Sequence, residues 1–360
     1  MGWPLPENLS TPALVVDHDV LVANVRRMAA RMRQRGVALR PHAKTHKSLD
    51  VAALQRDHGA TGLTVATVGE AEVFAAGGHE DLFIAYPVIA KWGKTERLAR
   101  LAASVRLSLG VDSLPAAQLL VDGGLAGTAT VMVEVDTGQH RSGVLPEAAG
   151  PLAEAVADLG LEVEGVFTHG GHGYWTPDAP AGAARDEVAR LGQAVDSLAR
   201  RGIATSRVSA GSSPTVLGSA MAPVTEERPG TYVFNDRQQV ALGVADSEQV
   251  ALVVAATVVS TAVRGQVVID AGSKSLGSDR PRWLEGFGTV PELDGAMVTS
   301  LSECHGIVVI DERTPPRVGT MVRVVPNHVC PVVNLFDSYD VVVGGELVDR
   351  WPVSARGHLA

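Results

Sequence analysis

A lysine flanked by two histidines is the first group in this chain whose surroundings could support chemistry. Lys44 follows the strand-like run VALRPHA and has His42 and His46 as close neighbours. Nearby cationic groups and partial burial favour the neutral amine, and a neutral amine attacks an aldehyde to form a Schiff base. A solvated lysine that caps the following helix would show the same residues, so this segment alone leaves both interpretations open.

The segment SAGSSPT, residues 209–215, is a second candidate because it is a short Gly/Ser loop at the end of a predicted strand. Backbone N–H groups and hydroxyls exposed in such a loop can hold a phosphate group. Loops of this composition are common, so this one is informative only together with Lys44. A phosphate loop opposite a Schiff-base lysine indicates a phosphorylated aldehyde as cofactor, pyridoxal 5'-phosphate.

The segment PNHVCP places two metal-ligand side chains, His328 and Cys330, two residues apart. On a β-strand, side chains at i and i+2 point to the same face. Imidazole plus thiolate suits zinc best, with manganese or magnesium as alternatives. Two protein ligands leave positions for water or substrate, which is typical of a catalytic metal site. A buried cysteine beside a hydrogen-bonded histidine is the alternative without a metal.

The elements that must position these groups alternate from about residue 37 onwards. Short β-branched runs are separated by Ala/Leu/Arg-rich stretches with helical spacing, and this alternation predicts a (β/α)8 TIM barrel, with a doubly wound open sheet as the rival. Catalytic groups of a barrel collect at the C-terminal ends of its strands, where five clusters of polar residues fall here. The eight predicted strands span residues 37–43, 63–68, 81–88, 105–112, 128–136, 163–169, 207–213 and 231–236.

The residue pattern changes after about residue 240, where the chain becomes rich in β-branched residues and the helical periodicity of apolar residues ends. This predicts a C-terminal domain of antiparallel strands. We therefore expect a barrel over residues 13–240 and a β-domain over residues 241–360 together with residues 1–12. The extended segment TPALVVD, residues 11–17, could pair with the second domain.

The composition limits the classes of partner. The chain has 46% hydrophobic and 4% aromatic residues, and 40 acidic against 31 basic side chains give a net charge of −9. An acidic surface argues against nucleic acid or an anionic membrane as the main partner. The chain has neither a membrane-spanning apolar run nor a secretory signal pattern, and two cysteines make no disulfide framework. These features predict a cytoplasmic protein.

Six segments in this order resemble the D-threonine aldolase and D-serine dehydratase family: RPHAKTHKS, DTGQHRSGV, THGGHGYW, SAGSSPT, RPGTYVFND and PNHVCPVVN. Members of this family are pyridoxal phosphate enzymes of the alanine racemase fold type. The resemblance runs from Thr11 to about Asp340. It implies a TIM barrel of the alanine racemase type with a C-terminal antiparallel β-domain, a homodimer, and a small D-amino acid as substrate.

The resemblance also implies roles for individual residues. Lys44 would carry the Schiff base, and Arg141 would bind the phenolic oxygen of the cofactor. His169 would stack on the pyridine ring, and Arg228 would face the ring nitrogen. The phosphate group would be bound by Gly211, Ser212, Ser213 and Thr215, further cofactor contacts would come from Tyr174 and Tyr232, and the divalent metal would be bound by His328 and Cys330.

The reaction that follows depends on which proton is removed from a β-hydroxy-D-amino acid. A metal helps because a hydroxyl is a poor leaving group and a weak acid. Loss of the hydroxyl proton, with His172 as the candidate general base, gives the aldolase reaction to glycine and an aldehyde. Loss of the α-proton, for example to Lys44, gives the dehydratase reaction to ammonia and a 2-oxo acid. The resemblance gives dehydratases a His-x-Cys pair and some aldolases His-x-Asp. From the sequence we place D-threonine aldolase first, with the dehydratase and an amino acid racemase as alternatives.

Overall fold

The computed structural model describes residues 3–311 and 315–360. Among these residues, none of the helices combines the length and the apolar character that crossing a bilayer requires. The strands are β1 Ala13–Asp17, β2 Ala38–Leu39, β3 Leu63–Val65, β4 Asp81–Pro87, β5 Arg106–Val111, β6 Thr130–Glu134, β7 Glu162–Phe167, β8 Arg207–Ala210, β9 Glu226–Glu227, β10 Leu252–Ser260, β11 Gln266–Ile269, β12 Gly288–Thr289, β13 Met297–Leu301, β14 Gly306–Val309, β15 Met321–Pro326, β16 Ser338–Val343 and β17 Glu346–Pro352. The α-helices are α1 His18–Arg35, α2 Leu49–Asp57, α3 Val68–Ala76, α4 Lys94–Ser104, α5 Leu114–Asp122, α6 Pro146–Asp158, α7 Ala179–Ala199, α8 Val216–Ser219, α9 Arg237–Ala241, α10 Ser273–Leu276 and α11 Val329–Val333.

The chain forms two compact units. The barrel unit consists of Met28–Lys44, Val51–Gly230 and Gly357–Ala360, and the β unit consists of Met1–Arg27, Thr45–Asp50 and Thr231–Arg356. Residues 1 and 2, which we expected to accompany the C-terminal domain, lie outside the described residues. The domain boundaries expected from the sequence stay predictions.

The barrel unit contains eight parallel strands in the order β2, β9, β8, β7, β6, β5, β4, β3. The two end strands meet just beyond β2, where the N–H of Ala43 donates to the carbonyl of Thr64 and the N–H of Thr64 donates to the carbonyl of Pro41, each at 2.8 Å. The helices connect successive strands, as parallel neighbours require. The predicted (β/α)8 barrel is therefore confirmed.

One barrel strand differs from the prediction. The run at residues 231–236 is not a strand: Thr231–Val233 forms a 3₁₀ helix, and the eighth strand is β9, a few residues earlier. β9 escapes an apolar pattern search because it consists of two glutamates. Both are buried, and Glu226 is stabilised there because its carboxylate accepts hydrogen bonds from Arg40 Nε and Ser209 Oγ, both at 2.6 Å.

Charged side chains fill the part of the barrel near the N-terminal ends of the strands. Arg40 pairs with Asp81 at 2.7 Å and with Glu226 at 2.6 Å. Arg207 lies 2.9 Å from Glu164. Further along the strands the filling is apolar, with Phe83 and Phe167 in an edge-to-face pair at 5.0 Å around the neighbouring methionine of β6.

The β unit contains a nine-stranded sheet. Strands β10, β11, β14, β13, β12 and β15 follow one another antiparallel, and β15 pairs with β10 to close a six-stranded barrel. β1 pairs antiparallel with β10 and parallel with β16, and β17 forms the outer edge. The predicted C-terminal antiparallel β-domain is thus confirmed. β1 lies in the extended segment 11–17, which we expected could pair with this domain, and it belongs to this sheet.

Candidate active site

A cavity of about 330 Å³ opens at the C-terminal ends of the barrel strands. Its lining comes from residues that follow β2, β6, β7 and β9 and from the end of β4. Four of the predicted cofactor residues are brought together in it, although their positions span almost two hundred residues of sequence. The polar side chains of the lining are His42, Lys44, Tyr86, Arg141, Ser142, His169 and Arg228.

The backbone around Lys44 is held on both sides. The N–H of His42 donates to the carbonyl of Pro229 at 3.0 Å, while Ala43 is bonded to Thr64 on the opposite side. The N–H of Lys44 approaches Nδ1 of His42 at 3.4 Å, and the lysine side chain is half-buried. These contacts hold the backbone of Lys44 in one position, and its side chain extends from there into the cavity.

His169 lies two residues after β7, and its imidazole is neutral at physiological pH. Burial lowers the pKa of His169 well below its usual value, and the positive charges of Lys44, Arg141 and Arg228 lower it further. A neutral imidazole is the form that can lie flat against an aromatic ring without adding a charge to it.

Arg228 follows β9 directly and is buried. Its Nε donates to Ser209 Oγ at 2.9 Å, and its terminal N–H₂ donates to the carbonyl of Thr168. The guanidinium also lies over the rings of Phe83 and Phe167, at 5.6 and 5.4 Å from their centres. Burial lowers the pKa of Arg228, whereas several buried glutamates raise it. These contacts fix a rigid cation at the wall of the cavity.

Arg141 is placed by the loop that follows β6. Asp136 Oδ1 accepts the N–H groups of Gly138 at 2.9 Å and His140 at 3.0 Å, and Asp136 Oδ2 lies 2.7 Å from Nδ1 of His140. The same loop brings the exposed Arg141 side chain to 3.9 Å from Glu134. A carboxylate that accepts several N–H groups of one loop stabilises a single loop conformation.

The predicted phosphate loop, Gly211–Thr215, follows β8 and is buried throughout. The N–H of Ser212 donates to Thr215 Oγ1 at 2.9 Å, and the two hydroxyls are 3.0 Å apart. The N–H of Gly211 donates to Glu187 Oε1 at 3.0 Å, so this amide is already bonded within the protein. These residues are outside the lining of the Lys44 cavity.

Three further predicted residues lie elsewhere. His172 and Tyr174 belong to the 3₁₀ helix Gly171–Tyr174 and do not line the cavity. His172 is buried, its Nε2 lies 3.2 Å from Asp186 Oδ2, and its Nδ1 has no hydrogen-bond partner among the described residues. Tyr232 is buried in the β unit.

His328 and Cys330 lie in the β unit, and the prediction that both are on a strand is wrong. β15 ends at Pro326, and the two residues lie at the start of α11. The pair therefore converges through a strand-to-helix turn, and the imidazole of His328 is hydrogen-bonded to Cys330.

The surroundings of this pair suit a metal ligand set. Asp279 Oδ2 lies 2.6 Å from Nδ1 of His328, which leaves Nε2 as the nitrogen for a metal. The hydroxyl of Thr45 is 3.2 Å from Cys330 Sγ. Within residues 3–311 and 315–360, no cluster of three or more His, Cys, Asp or Glu side chains forms a closed metal site.

Two residues of these sites were missed by the sequence reasoning. Tyr86 lines the Lys44 cavity, and its signal was available: a polar side chain at the C-terminal end of a strand, before a proline. Burial raises the pKa of Tyr86, so its hydroxyl is retained as a donor. Asp279 had no detectable signal, because it lies about fifty residues before His328 in an irregular segment.

Comparison with known proteins identifies the class of enzyme. The profile of the "Alanine racemase, N-terminal domain" matches residues 16–238, and a serine dehydratase domain profile matches residues 251–342. The chain is 38% identical to D-threo-3-hydroxyaspartate dehydratase of Delftia sp. (strain HT23), over 95% of this chain and 97% of the relative. It is 34% identical to D-threonine aldolase of Arthrobacter sp, over 99% and 95%.

Solved structures give the same result. D-threonine aldolase from Filomicrobium marinum superposes with a TM-score of 0.90 at 30% identity, covering 99% of both chains. A Cys-to-Ala variant of a D-threo-3-hydroxyaspartate dehydratase in its metal-free form superposes with a TM-score of 0.87 at 36% identity, covering 96% of this chain and 97% of that one. The fold is that of the alanine racemases. Within it, the chain belongs to the D-threonine aldolase and D-serine dehydratase family, as its motifs predicted.

Proposed function

We propose that this protein is a pyridoxal phosphate-dependent lyase that acts on β-hydroxy-D-amino acids and removes water from them, releasing ammonia and a 2-oxo acid. The lyase class is supported by its relatives, which are aldolases and dehydratases. The observation that carries the proposal is the cavity that unites Lys44, Arg141, His169 and Arg228.

The cavity residues fit the cofactor. Lys44 supplies the amine that binds an aldehyde, and the exposed Arg141 supplies donors for a phenolic oxygen. When bound, pyridoxal phosphate withdraws electrons from the α-carbon of an amino acid and so acidifies its α-proton. His169 offers a neutral imidazole face to a pyridine ring. Arg228 cannot accept a proton, so it keeps a ring nitrogen that faces it unprotonated.

Lys44 is the group that we assign to proton transfer. Its amine shares the cavity with the guanidinium groups of Arg141 and Arg228, and neighbouring cations favour the neutral, basic form. Lys44 Nζ takes the proton from Cα of the substrate, and hydroxide leaves from Cβ. The resulting enamine product takes up water and releases ammonia and the 2-oxo acid.

The metal of the proposal is divalent and held by His328 and Cys330, with zinc as first choice because of the thiolate. When bound, it would act as a Lewis acid on a hydroxyl group and make it a better leaving group. Asp279 would orient His328 for this purpose. A metal-free form of a Cys-to-Ala variant has been solved for a D-threo-3-hydroxyaspartate dehydratase, which supports the presence of a metal site in such a relative.

Dehydration is placed ahead of aldol cleavage for a geometric reason. Aldol cleavage needs a base for the hydroxyl proton, and Nε2 of the candidate base His172 already lies 3.2 Å from Asp186 Oδ2. Dehydration needs a base for the α-proton, and Lys44 is inside the cavity. The order is thus the reverse of the one we expected from the sequence.

D-threonine aldolase activity is the second candidate function. It is favoured by the similarity to the Filomicrobium and Arthrobacter aldolases over nearly the whole chain. Racemisation is a weaker alternative because it has no use for the His328 and Cys330 pair. The homodimer, the cytoplasmic location and a role without nucleic acid or membrane partners stay predictions.

The proposal is tested by product analysis after incubation with D-threonine, pyridoxal phosphate and a divalent metal, since this substrate serves both reactions. We expect ammonia and 2-oxobutyrate. Glycine and acetaldehyde would favour the aldolase, and the absence of both product pairs from D-threonine, D-serine and 3-hydroxy-D-aspartate would overturn the lyase. Cys330→Ala should lose the chelator-sensitive activity while retaining the cofactor absorbance.

A further inference from the structure

Two buried glutamates lie behind the loop Gly211–Thr215 and have no part in the chemistry described so far. Glu187 belongs to α7 and Glu227 ends β9, and the accessible surface of each residue is 0% of its full value. Both belong to the barrel unit. Burying an ionised carboxylate is costly in free energy unless hydrogen-bond donors or opposite charges compensate. The burial of these two carboxyl groups therefore requires an explanation.

Glu187 holds two loops with a single oxygen. Its Oε1 accepts the N–H of Gly170 at 2.9 Å and the N–H of Gly211 at 3.0 Å. Gly170 precedes the 3₁₀ helix Gly171–Tyr174, and Gly211 is the first residue of the predicted phosphate loop. One carboxylate oxygen therefore ties the end of β7 to the end of β8.

Glu227 packs against the same loop and limits the space for a side chain at position 211. A Cβ atom built on Gly211 would lie 1.7 Å from Glu227 Oε2, and the φ angle of Gly211 is +90°, so only glycine fits here. Glu227 Oε1 accepts the hydroxyl of Ser219 at 2.8 Å. Its Oε2 has no hydrogen-bond partner among the described residues. Gly211 is thus bonded through its amide and packed against a carboxyl oxygen.

The contacts decide which carboxyl carries the charge. Burial raises the pKa of both carboxyls and the cation of Arg228 lowers both, so their hydrogen-bond donors distinguish them. Glu187 receives two backbone N–H groups. Glu227 receives one hydroxyl. Burial and the charge of Glu187 raise the pKa of Glu227 well above its usual value. Of two neighbouring buried carboxyls, the one with fewer donors keeps the proton, which here is Glu227.

We propose that Glu187 is the positioning residue of the phosphate site, acting through the Gly211 amide, and that Glu227 is its protonated, uncharged partner. The inference rests on the proposed function, because it takes the loop to bind the 5'-phosphate of the cofactor. Glu187 sets the loop so that its other N–H groups and hydroxyls face the phosphate. The protonated state of Glu227 keeps a second negative charge away from a dianionic ligand.

The test compares pyridoxal 5'-phosphate with pyridoxal, which lacks the phosphate, in titrations followed by the absorbance of the bound cofactor. Glu187→Leu removes the acceptor, and we expect its Kd for pyridoxal phosphate to rise at least about tenfold while that for pyridoxal changes less than about threefold. Glu187→Gln keeps Oε1 as acceptor and should stay within about threefold of the wild type for both ligands. Glu227→Gln mimics the protonated carboxyl and should do the same.

Other results would overturn the inference. Equal weakening of both ligands in Glu187→Leu would mean a general structural role. Tighter binding of the phosphate form alone in Glu227→Gln would mean that Glu227 is ionised in the wild type, because the substitution would then remove a negative charge near the phosphate. If Glu187→Leu does not fold, hydrogen exchange in cofactor-free wild type decides: a protected Gly211 amide supports the inference, and a rapidly exchanging one overturns it. A wild type that binds neither ligand would refute the proposed function and this inference with it. If Glu187→Leu prefers pyridoxal phosphate over pyridoxal by the same factor as the wild type, the inference is refuted and the proposed function stands.

Discussion

Asp279 Oδ2 lies 2.6 Å from Nδ1 of His328, so the two residues form a carboxylate–imidazole pair in the β unit. With a metal bound, the carboxylate would accept the Nδ1 proton and Nε2 would be the ligating nitrogen. Metal-ligating histidines are commonly oriented in this way, and loss of the orienting carboxylate lowers metal affinity.

Asp279→Asn is therefore expected to weaken metal binding about 10- to 100-fold. The measurement is titration of metal-stripped protein with zinc or manganese. Asp294→Asn, an exposed aspartate of the same unit, is the matched control and should bind metal like the wild type. Equal affinities in both variants would show that Asp279 does not orient a metal ligand.

Because Arg40 forms buried ion pairs in the barrel, we expect its replacement to lower the free energy of unfolding strongly. Arg40→Met leaves Asp81 and Glu226 without their main cation, and removing one partner of a buried ion pair costs about 3–5 kcal/mol of unfolding free energy. Arg56→Met removes only an exposed pair with Asp57 at 3.4 Å and should cost less than about 1 kcal/mol. Urea unfolding of both variants measures the difference. Similar losses in the two would contradict the assigned importance of the barrel network.

His79 predicts a loss of stability in mild acid. Burial and the charge of Arg56 lower the pKa of His79 to about 4, whereas the unfolded chain takes up the proton near pH 6.5. Between these values only the unfolded state binds the proton, so the stability present above pH 6.5 is lost as the pH falls towards 4. His79→Leu should reduce the loss between pH 7 and pH 5 by about 2 kcal/mol. An unchanged loss in urea unfolding at the two pH values would refute this.

His172 distinguishes the two candidate reactions. If Lys44 removes the α-proton, His172→Gln should retain the dehydratase kcat within about tenfold, because the imidazole is not among the residues that line the cavity and contacts Asp186. A loss of a hundredfold or more, with KM unchanged, would instead assign His172 to proton transfer. Asp186→Asn, which alters only the neighbour of the ring, separates orientation of His172 from its chemistry.

The sequence predicted the strands and domains that have a regular periodicity of apolar residues. The predictions were wrong at segments that lack such a periodicity. Seven barrel strands and the β-rich C-terminal region follow the expected patterns, and Lys44, Arg141, His169 and Arg228 do meet in one cavity. The strand of Glu226 and Glu227 was missed because its stability comes from Arg40 and Ser209, which are distant in sequence. His328 and Cys330 were placed on a strand, since a turn into a five-residue helix leaves no periodic signal.

Glu187 and Asp279 could not be identified for a related reason. Each acts through one contact with a residue that is distant along the chain, Gly211 for Glu187 and His328 for Asp279. A glutamate within an amphipathic helix and an aspartate in a loop are ordinary in sequence. Only the folded chain distinguishes them from solvated carboxylates.

Covalent trapping tests directly whether Lys44 is the residue that binds the cofactor. Reduction of the holoenzyme with borohydride, followed by digestion and peptide mass spectrometry, should place the pyridoxyl group on Lys44. Lys47, three residues away and buried in the β unit, serves as the internal control, and Lys44→Arg should yield no labelled peptide. A label on Lys47 or on any other lysine, or persistent labelling in Lys44→Arg, would contradict the account.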